Sequence, residues 1–263
     1  MNLIVTTTHK PDAKAAALAA DLSARLAVPL VARARRALDA LMAAHGADTV
    51  LVAAKAGPVV HTAGGEYFFH LSMAELRINN LKDGKADHMI SAMGLTPGDT
   101  VLDCTLGLAT DAIVASYAAG ERGRVVGLEA SPVIAAVTGH GLAAFASGRP
   151  DVDAALRRIA VVPADYNDHL ETLADASFDI VYFDPMFRIP VRTSSSLRPL
   201  RDLADPRPVS PRAIAAARRV ARRRVVLKET AGSREFARLG FGEIVGGKYS
   251  SVHYGVIDME RGD

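Results

Sequence analysis

The segment 178–187 (FDIVYFDPMF) holds the residue types in this chain best suited to chemistry. Its apolar run reads as a buried strand that stops at Asp184. Pro185 cannot donate to a sheet ladder and biases Asp184 toward an extended backbone. A carboxylate, a free carbonyl and an aromatic ring then stand together at a strand's carboxyl end, the edge where open α/β sheets bind ligands. Asp184 and the carbonyl of Pro185 can each accept a hydrogen bond from one amino group, and Phe187 can stack on a flat base. Such a set suits methylation of the exocyclic amine of a nucleobase. That nitrogen is a poor nucleophile because its lone pair is delocalised into the ring. Holding both of its hydrogens aims the lone pair at a methyl carbon.

Three further acids fall where an α/β sheet would gather a nucleoside. Segment 103–111 (DCTLGLATD) joins one strand to the next helix and includes Asp103, Thr105 and Gly107. Gly107 allows close backbone approach, Ala109 keeps the turn small, and helix amides near Thr110 and Asp111 point into the crevice. Glu129 ends the following strand and can accept both ribose hydroxyl hydrogens of an adenosine. Asp165 follows a third strand and can face an adenine amino group. A cationic sulfonium tolerates a carboxylate such as Asp103 nearby. Each acid also has a purely structural reading: Asp103 as a buried acceptor, Glu129 as a solvated strand end, Asp165 as a helix N-cap. A nicotinamide cofactor would favour G-x-G-x-x-G here, and this loop has one glycine.

These residues need strands and helices to place them. From Thr100 onward strands alternate with helices: strands at 101–103, 124–129, 159–162, 180–183 and 224–228, and helices at 111–119, after Pro132, and at 211–222. This pattern predicts a mostly parallel sheet with helices on both faces. Segments 242–245 and 252–257 predict a closing antiparallel hairpin across Gly246 and Gly247. The first 94 residues read as a small α/β subdomain. Its predicted strands are 3–6, 49–53 and 59–62, with a turn at Gly57 and Pro58. Its predicted helices run from Pro11 to Leu26 and from Ala32 to Ala44, from a capping box at Ser72 and Glu75, and over 87–93. The catalytic portion is then 95–263.

With 263 residues, 49% of them hydrophobic, the chain can bury a sizeable core. One cysteine, Cys104, excludes an internal disulfide and fits a reducing cytoplasm. No apolar run reaches the length of a membrane span, and the first residues lack the pattern of a secretory signal. His70 and His253 show no metal-ligand spacing, so no metal is expected. The net charge of +2 is unevenly spread. Residues 188–224 hold eleven arginines and two acids, nine net positive charges directly after the strand-end motif. That balance suggests a polyanion such as RNA, with Arg188, Arg192 and Lys228 as substrate contacts. A solvated arginine face, an ion-paired Lys228, a core-packed Phe187 and an exposed helix arginine at Arg77 are the plainer readings. Tyr249 and Tyr254 read as packing residues.

Taken in order, the segments 68–78, 102–112, 127–132, 182–187 and 246–251 resemble class I S-adenosylmethionine (SAM)-dependent methyltransferases. The closer resemblance is to the RsmJ-type small-subunit rRNA guanine-N2 methyltransferase family and its Gram-positive relatives. It implies an α/β fold: a Rossmann-like seven-stranded sheet with helices on both faces, a terminal antiparallel hairpin and a small N-terminal α/β subdomain. It implies SAM as cofactor and rRNA or the small ribosomal subunit as partner. It places Thr110 and Asp111 at the cofactor, Glu129 and Ala130 at the ribose, Asp165 and Tyr166 at the adenine, and Asp184 at the reacting centre. Thr110 stands where the family often carries Arg. Arg188 and Ile189 precede Pro190, where the rRNA enzyme has proline directly after the aromatic. The substrates left open are a DNA base, a protein or a small molecule, as is a non-catalytic SAM- or RNA-binding role.

Overall fold

The computed structural model describes residues 1–185 and 203–259. Two sheets organise these residues. The first has the order β1 (Leu3–Thr7), β2 (Thr49–Ala54), β3 (Gly57–Thr62), β4 (Gly65–Phe68). β1 and β2 are parallel, and β2, β3 and β4 are antiparallel. The second has seven strands: β5 (Thr100–Asp103), β6 (Arg124–Glu129), β7 (Ile159–Pro163), β8 (Phe178–Phe183), β9 (Ala221–Thr230), β10 (Glu243–Val245) and β11 (Val252–Asp258). Their spatial order is β10-β11-β9-β8-β5-β6-β7. β9 to β7 are parallel, whereas β11 is antiparallel to both β9 and β10.

Side-chain alternation divides the large sheet into two packed faces. On one, Val101, Val125, Ile180, Tyr182 and Val226 join a core shared with α3 (Ala74–Lys82), α4 (His88–Met93), α5 (Thr110–Ala119) and α6 (Pro132–Ala144). Leu3, Val5, Leu51, Val60 and Tyr67 of the small sheet belong to that same core, with α1 (Ala13–Leu26). On the other face, Leu102, Val126, Val181, Phe183 and Leu227 pack with α8 (Tyr166–Thr172), α9 (Pro211–Val220) and α10 (Glu235–Arg238). α7 (Pro150–Arg157) packs beside α5 and β7. A smaller cluster joins Ile4, Val50 and Val52 to Leu41 of α2 (Leu38–His45).

Several expected boundaries move, each for a tertiary reason. No helix runs from Ala32: Leu30 bridges Val5 and Val31 N donates to Val5 O at 2.8 Å, so this stretch extends along β1. Ala34 and Arg35 then take positive φ before α2 begins. The capping box does not form, because Ser72 has φ +50° and α3 starts at Ala74 without a side-chain cap. Gly57 and Pro58 belong to β3, with Lys55 and Ala56 making the turn. Tyr249 is 92% exposed rather than packed, whereas Tyr254 is buried.

Candidate active site

Parallel pairing of β8 with β9 sets Phe183 opposite Leu227, so Asp184, just past the end of β8, lies beside Lys228 of β9. Lys228 Nζ donates to Asp184 Oδ2 at 2.7 Å and to Asp111 Oδ2 at 2.9 Å. Asp111, in the first turn of α5, also accepts from the Tyr182 hydroxyl at 2.7 Å and from Arg77 of α3. Arg77 in turn forks onto Asp87, the N-cap of α4, at 2.7 and 2.9 Å. Charges of alternating sign thus run from a helix cap to the end of β8.

Burial alone would lift Asp111, but the Lys228 ammonium and the Arg77 guanidinium outweigh it and hold the carboxyl below the usual range. Burial also lifts Asp184, opposed by Lys228 and assisted by the Asp111 carboxylate, and the net direction is upward. The Asp184 side chain keeps 29% exposure, so this is a moderated effect. Burial would lower Lys228, yet the two carboxylates keep it protonated. Asp103 lies deeper. Burial pushes its carboxyl up to about 8, against a backbone hydrogen bond from Thr105 and with the added push of Asp111 and Asp184.

Thr105 ties this centre to the loop after β5. Its amide donates to Asp103 Oδ1 at 3.0 Å, and its hydroxyl accepts from the Asp184 amide at 2.6 Å. Beyond it, Gly107 (φ +52°) and Ala109 (φ +62°) bend the chain into α5. Ala109 supplies no side-chain cap, which leaves the first-turn amides of α5 without a side-chain acceptor. The Gly107 amide donates to Glu129 Oε2 at 3.0 Å, and Ser131 N donates to Oε1 at 2.9 Å. Burial raises the Glu129 carboxyl despite these two bonds. Thr138 donates to Gly107 O at 2.7 Å and shares a 3.2 Å hydrogen bond with Tyr67 of β4. A Cβ on Gly127 of β6 would lie 2.3 Å from Leu106 Cδ1, so the loop packs closely over β6 at this glycine.

A family model described as "Putative SAM-dependent methyltransferase" matches residues 67–239. The chain belongs to this SAM-dependent methyltransferase family. SAM is therefore its cofactor. The methyltransferase is 39% identical to the uncharacterized protein YpiP of Bacillus subtilis, over 97% of this chain and 98% of the other. It is 32% identical to ribosomal RNA small subunit methyltransferase J of Thioalkalivibrio sulfidiphilus, over 80% and 81%. Among solved structures, the SAM-dependent methyltransferase NGO1261 from Neisseria gonorrhoeae superposes with a TM-score of 0.67 at 18% identity, covering 99% of this chain and 97% of that one. That likeness bears on the fold.

Within the methyltransferase, Asp103, Thr105, Asp111, Asp184 and Lys228 form one connected cluster, and Gly107 with Glu129 forms a second beside it. Ala130 and Thr110 are partly exposed at the strand and helix ends flanking them. Pro185 is half-buried beyond Asp184, beside Pro206, Pro208 and Leu227. Asp165 caps α8, accepting from Asn167 N at 2.9 Å, and pairs with Arg207, which also holds Asp205. The Tyr166 ring is buried edge-on against Phe183, 5.5 Å between centroids. Phe187, Arg188 and Arg192 lie outside the described residues.

Two expectations change. Arg77 is not an exposed helix arginine: its side chain is 18% exposed and bridges two acids. The described arginines of 207–224 do not form an open positive surface. Arg212 pairs with Glu171, Arg219 with Asp175, Arg222 with Asp179, Arg223 with Asp99 and Arg224 with Asp258. Arg218 also has a partner. Tyr67, Thr138 and Tyr182 were not singled out from sequence. Tyr182 offered one signal, a hydroxyl in an apolar strand that must find an acceptor when buried. Among the described residues no His, Cys, Asp and Glu group could hold a metal, and no helix is long and apolar enough to cross a membrane.

Proposed function

We propose that this methyltransferase moves the methyl group of SAM to the exocyclic amine of a guanine in rRNA. The observation that carries the reading is Asp184: a carboxylate at the carboxyl end of β8, followed by a proline carbonyl and seated on a partly buried ammonium. The name of the Thioalkalivibrio relative supports rRNA as the substrate class. With that substrate, the enzyme works in the cytoplasm. Residues 1–94 act as a subdomain appended to the catalytic portion 95–263.

The residues present suit SAM. Each Glu129 oxygen holds one backbone amide and retains a lone pair for a ribose hydroxyl. Thr105, Gly107, Thr110 and Asp111 line its turn, Ala130 borders the ribose, and Asp165 and Tyr166 border the adenine. When bound, SAM supplies an electrophilic methyl on a sulfonium, and Asp103 gives that cation a neighbouring carboxyl.

Lys228 engages Asp184 Oδ2 and favours its ionised form against the pull of burial, and the remaining lone pairs can accept one amine hydrogen. The Pro185 carbonyl accepts the other. Thr105 fixes the Asp184 backbone, so the pair of acceptors is set before substrate arrives. Catalysis then rests on positioning and electrostatics, and Phe187 stacks on the base. As the nitrogen–methyl bond formed, the methyl–sulfur bond would break to release S-adenosylhomocysteine, and the surplus amine proton would then pass to water, so Asp184 need not be a strong base.

The test is to incubate the protein with methyl-labelled SAM and separate pools of rRNA, ribosomal subunits, DNA and protein, then map the label. Label on a guanine N2 of rRNA is expected. Label only in DNA or protein would replace the RNA reading, and no label in any pool would favour a binding role.

A further inference from the structure

β1 and β2 are parallel neighbours, so the loops that follow them leave one sheet edge. Residues 30–31 make a third parallel course on the other side of β1. Three connections therefore open at that edge: 8–12 before α1, 32–37 before α2, and the turn at 55–56. They carry Lys10, Arg33, Arg35, Arg36 and Lys55, and Lys14 follows in the first turn of α1. All but the half-buried Arg33 are exposed, and none of the six forms an ion pair among the described residues.

The acids at this edge do not balance that charge. Asp12 uses its carboxylate to cap α1, accepting from Ala15 N at 2.8 Å, and Asp39 stands in the first turn of α2. Asp48 and Glu66 belong to the opposite edge, where Asp48 holds Asn2 and Glu66 faces His61. Of the arginines of 207–224, Arg207, Arg212, Arg219, Arg222, Arg223 and Arg224 are each ion-paired with an acid. The outer face of the same sheet adds an aromatic. Phe68 is 44% exposed, with its ring 5.5 Å from that of His70. It pairs with Val59, two residues from the basic edge.

We propose that this edge of the small sheet docks the phosphate backbone of the RNA substrate, with Phe68 stacking on an unpaired base. Unpaired cations on three separate loops fit a run of phosphates better than a single one, and an aromatic beside them fits single-stranded RNA. The inference rests on the RNA reading above and adds the surface that holds that RNA.

The test compares the full-length protein with a K10A/R35A/R36A/K55A variant and, separately, Phe68→Ala. The probe is a fluorescein-labelled small-subunit rRNA transcript titrated across KCl concentrations, with SAM binding followed by calorimetry. Removing four phosphate contacts should weaken RNA binding about 100-fold at ~0.1 M salt and flatten the salt slope by about 3. SAM affinity, the circular dichroism spectrum and single-turnover methylation at saturating RNA should stay as in wild type. Phe68→Ala should cost about tenfold with the slope unchanged. Unchanged affinity and slope in the quadruple variant would overturn the docking surface, whether or not RNA is methylated. If wild type binds rRNA but labels none, while the variant loses binding, the surface stands and the substrate reading falls.

Discussion

Lys228 of β9 and Asp184, just past the end of the adjacent parallel strand β8, meet in a 2.7 Å contact between Nζ and Oδ2 that sets the charge of the proposed reaction centre. Replacing Lys228 by Met keeps the stem and removes the cation. Asp184 and Asp111 then face each other without it, a loss of about 3–5 kcal/mol for a broken buried pair. With the ammonium gone, the Asp184 carboxyl rises further. The acidic limb of the pH–kcat profile should therefore move to higher pH, with kcat down about 100-fold. Single-turnover transfer from pH 5 to 9 and urea melts check both. An unmoved limb would show that Lys228 does not tune Asp184.

Asp184→Ala removes one of the two amine acceptors and should lower transfer by about a thousandfold or more. SAM binding, measured by calorimetry, should persist because the turn at Gly107 and Glu129 is untouched. Near-normal turnover would end the proposed role of Asp184.

The proposed place of Asp103 beside the sulfonium predicts pH-dependent cofactor binding. Its carboxyl is pushed up to about 8 from an ordinary 3.8, so the free protein carries it protonated at pH 7. A sulfonium beside it favours the ionised form, so SAM binding should release a proton. Affinity should rise between pH 6 and 8 and level off above. Calorimetry in two buffers of different ionisation enthalpy reads the proton directly. The raised value also stabilises the folded state fully below the unfolded pKa, a contribution lost as pH rises through about 8. Relative to Asp103→Asn, the wild-type melting temperature should fall over that range.

Gly127→Ala places a methyl group 2.3 Å from Leu106 Cδ1, in a packed interior. The expected cost is about 1–3 kcal/mol of stability. Displacement of the loop should also weaken SAM binding at least tenfold, measured by calorimetry. Intact SAM affinity would mean that Leu106 repacks without moving Gly107.

Local signals served well where chain neighbours decide the outcome. The strand 124–129 forms over those same residues, and β8 ends at Phe183, two residues before Pro185. They failed where a distant partner decides. Arg77 reads as a surface residue until α5 brings Asp111 against it. Arg223 counts as free charge until Asp99, 124 residues earlier, folds beside it. The stretch 32–37 has the composition of a helix, but the edge of β1 claims the residues before it. Charge counted along a chain is therefore not charge on a surface, as the six cations of the small sheet and the paired arginines of the large one illustrate from opposite sides.

The position of β11 carries one more consequence, for synthesis. This strand, residues 252–258, lies inside the large sheet between β9 and β10, with Tyr254 level with Lys228. A nascent chain that has reached residue 245 has β9 ready but its outer hydrogen-bonding edge open, an invitation to pair with other chains. The ribosome must deliver β11 before that edge is covered and Lys228 acquires its neighbour. The earlier segments can fold as they emerge, but the surroundings of the Lys228–Asp184 pair are finished among the last parts to be made.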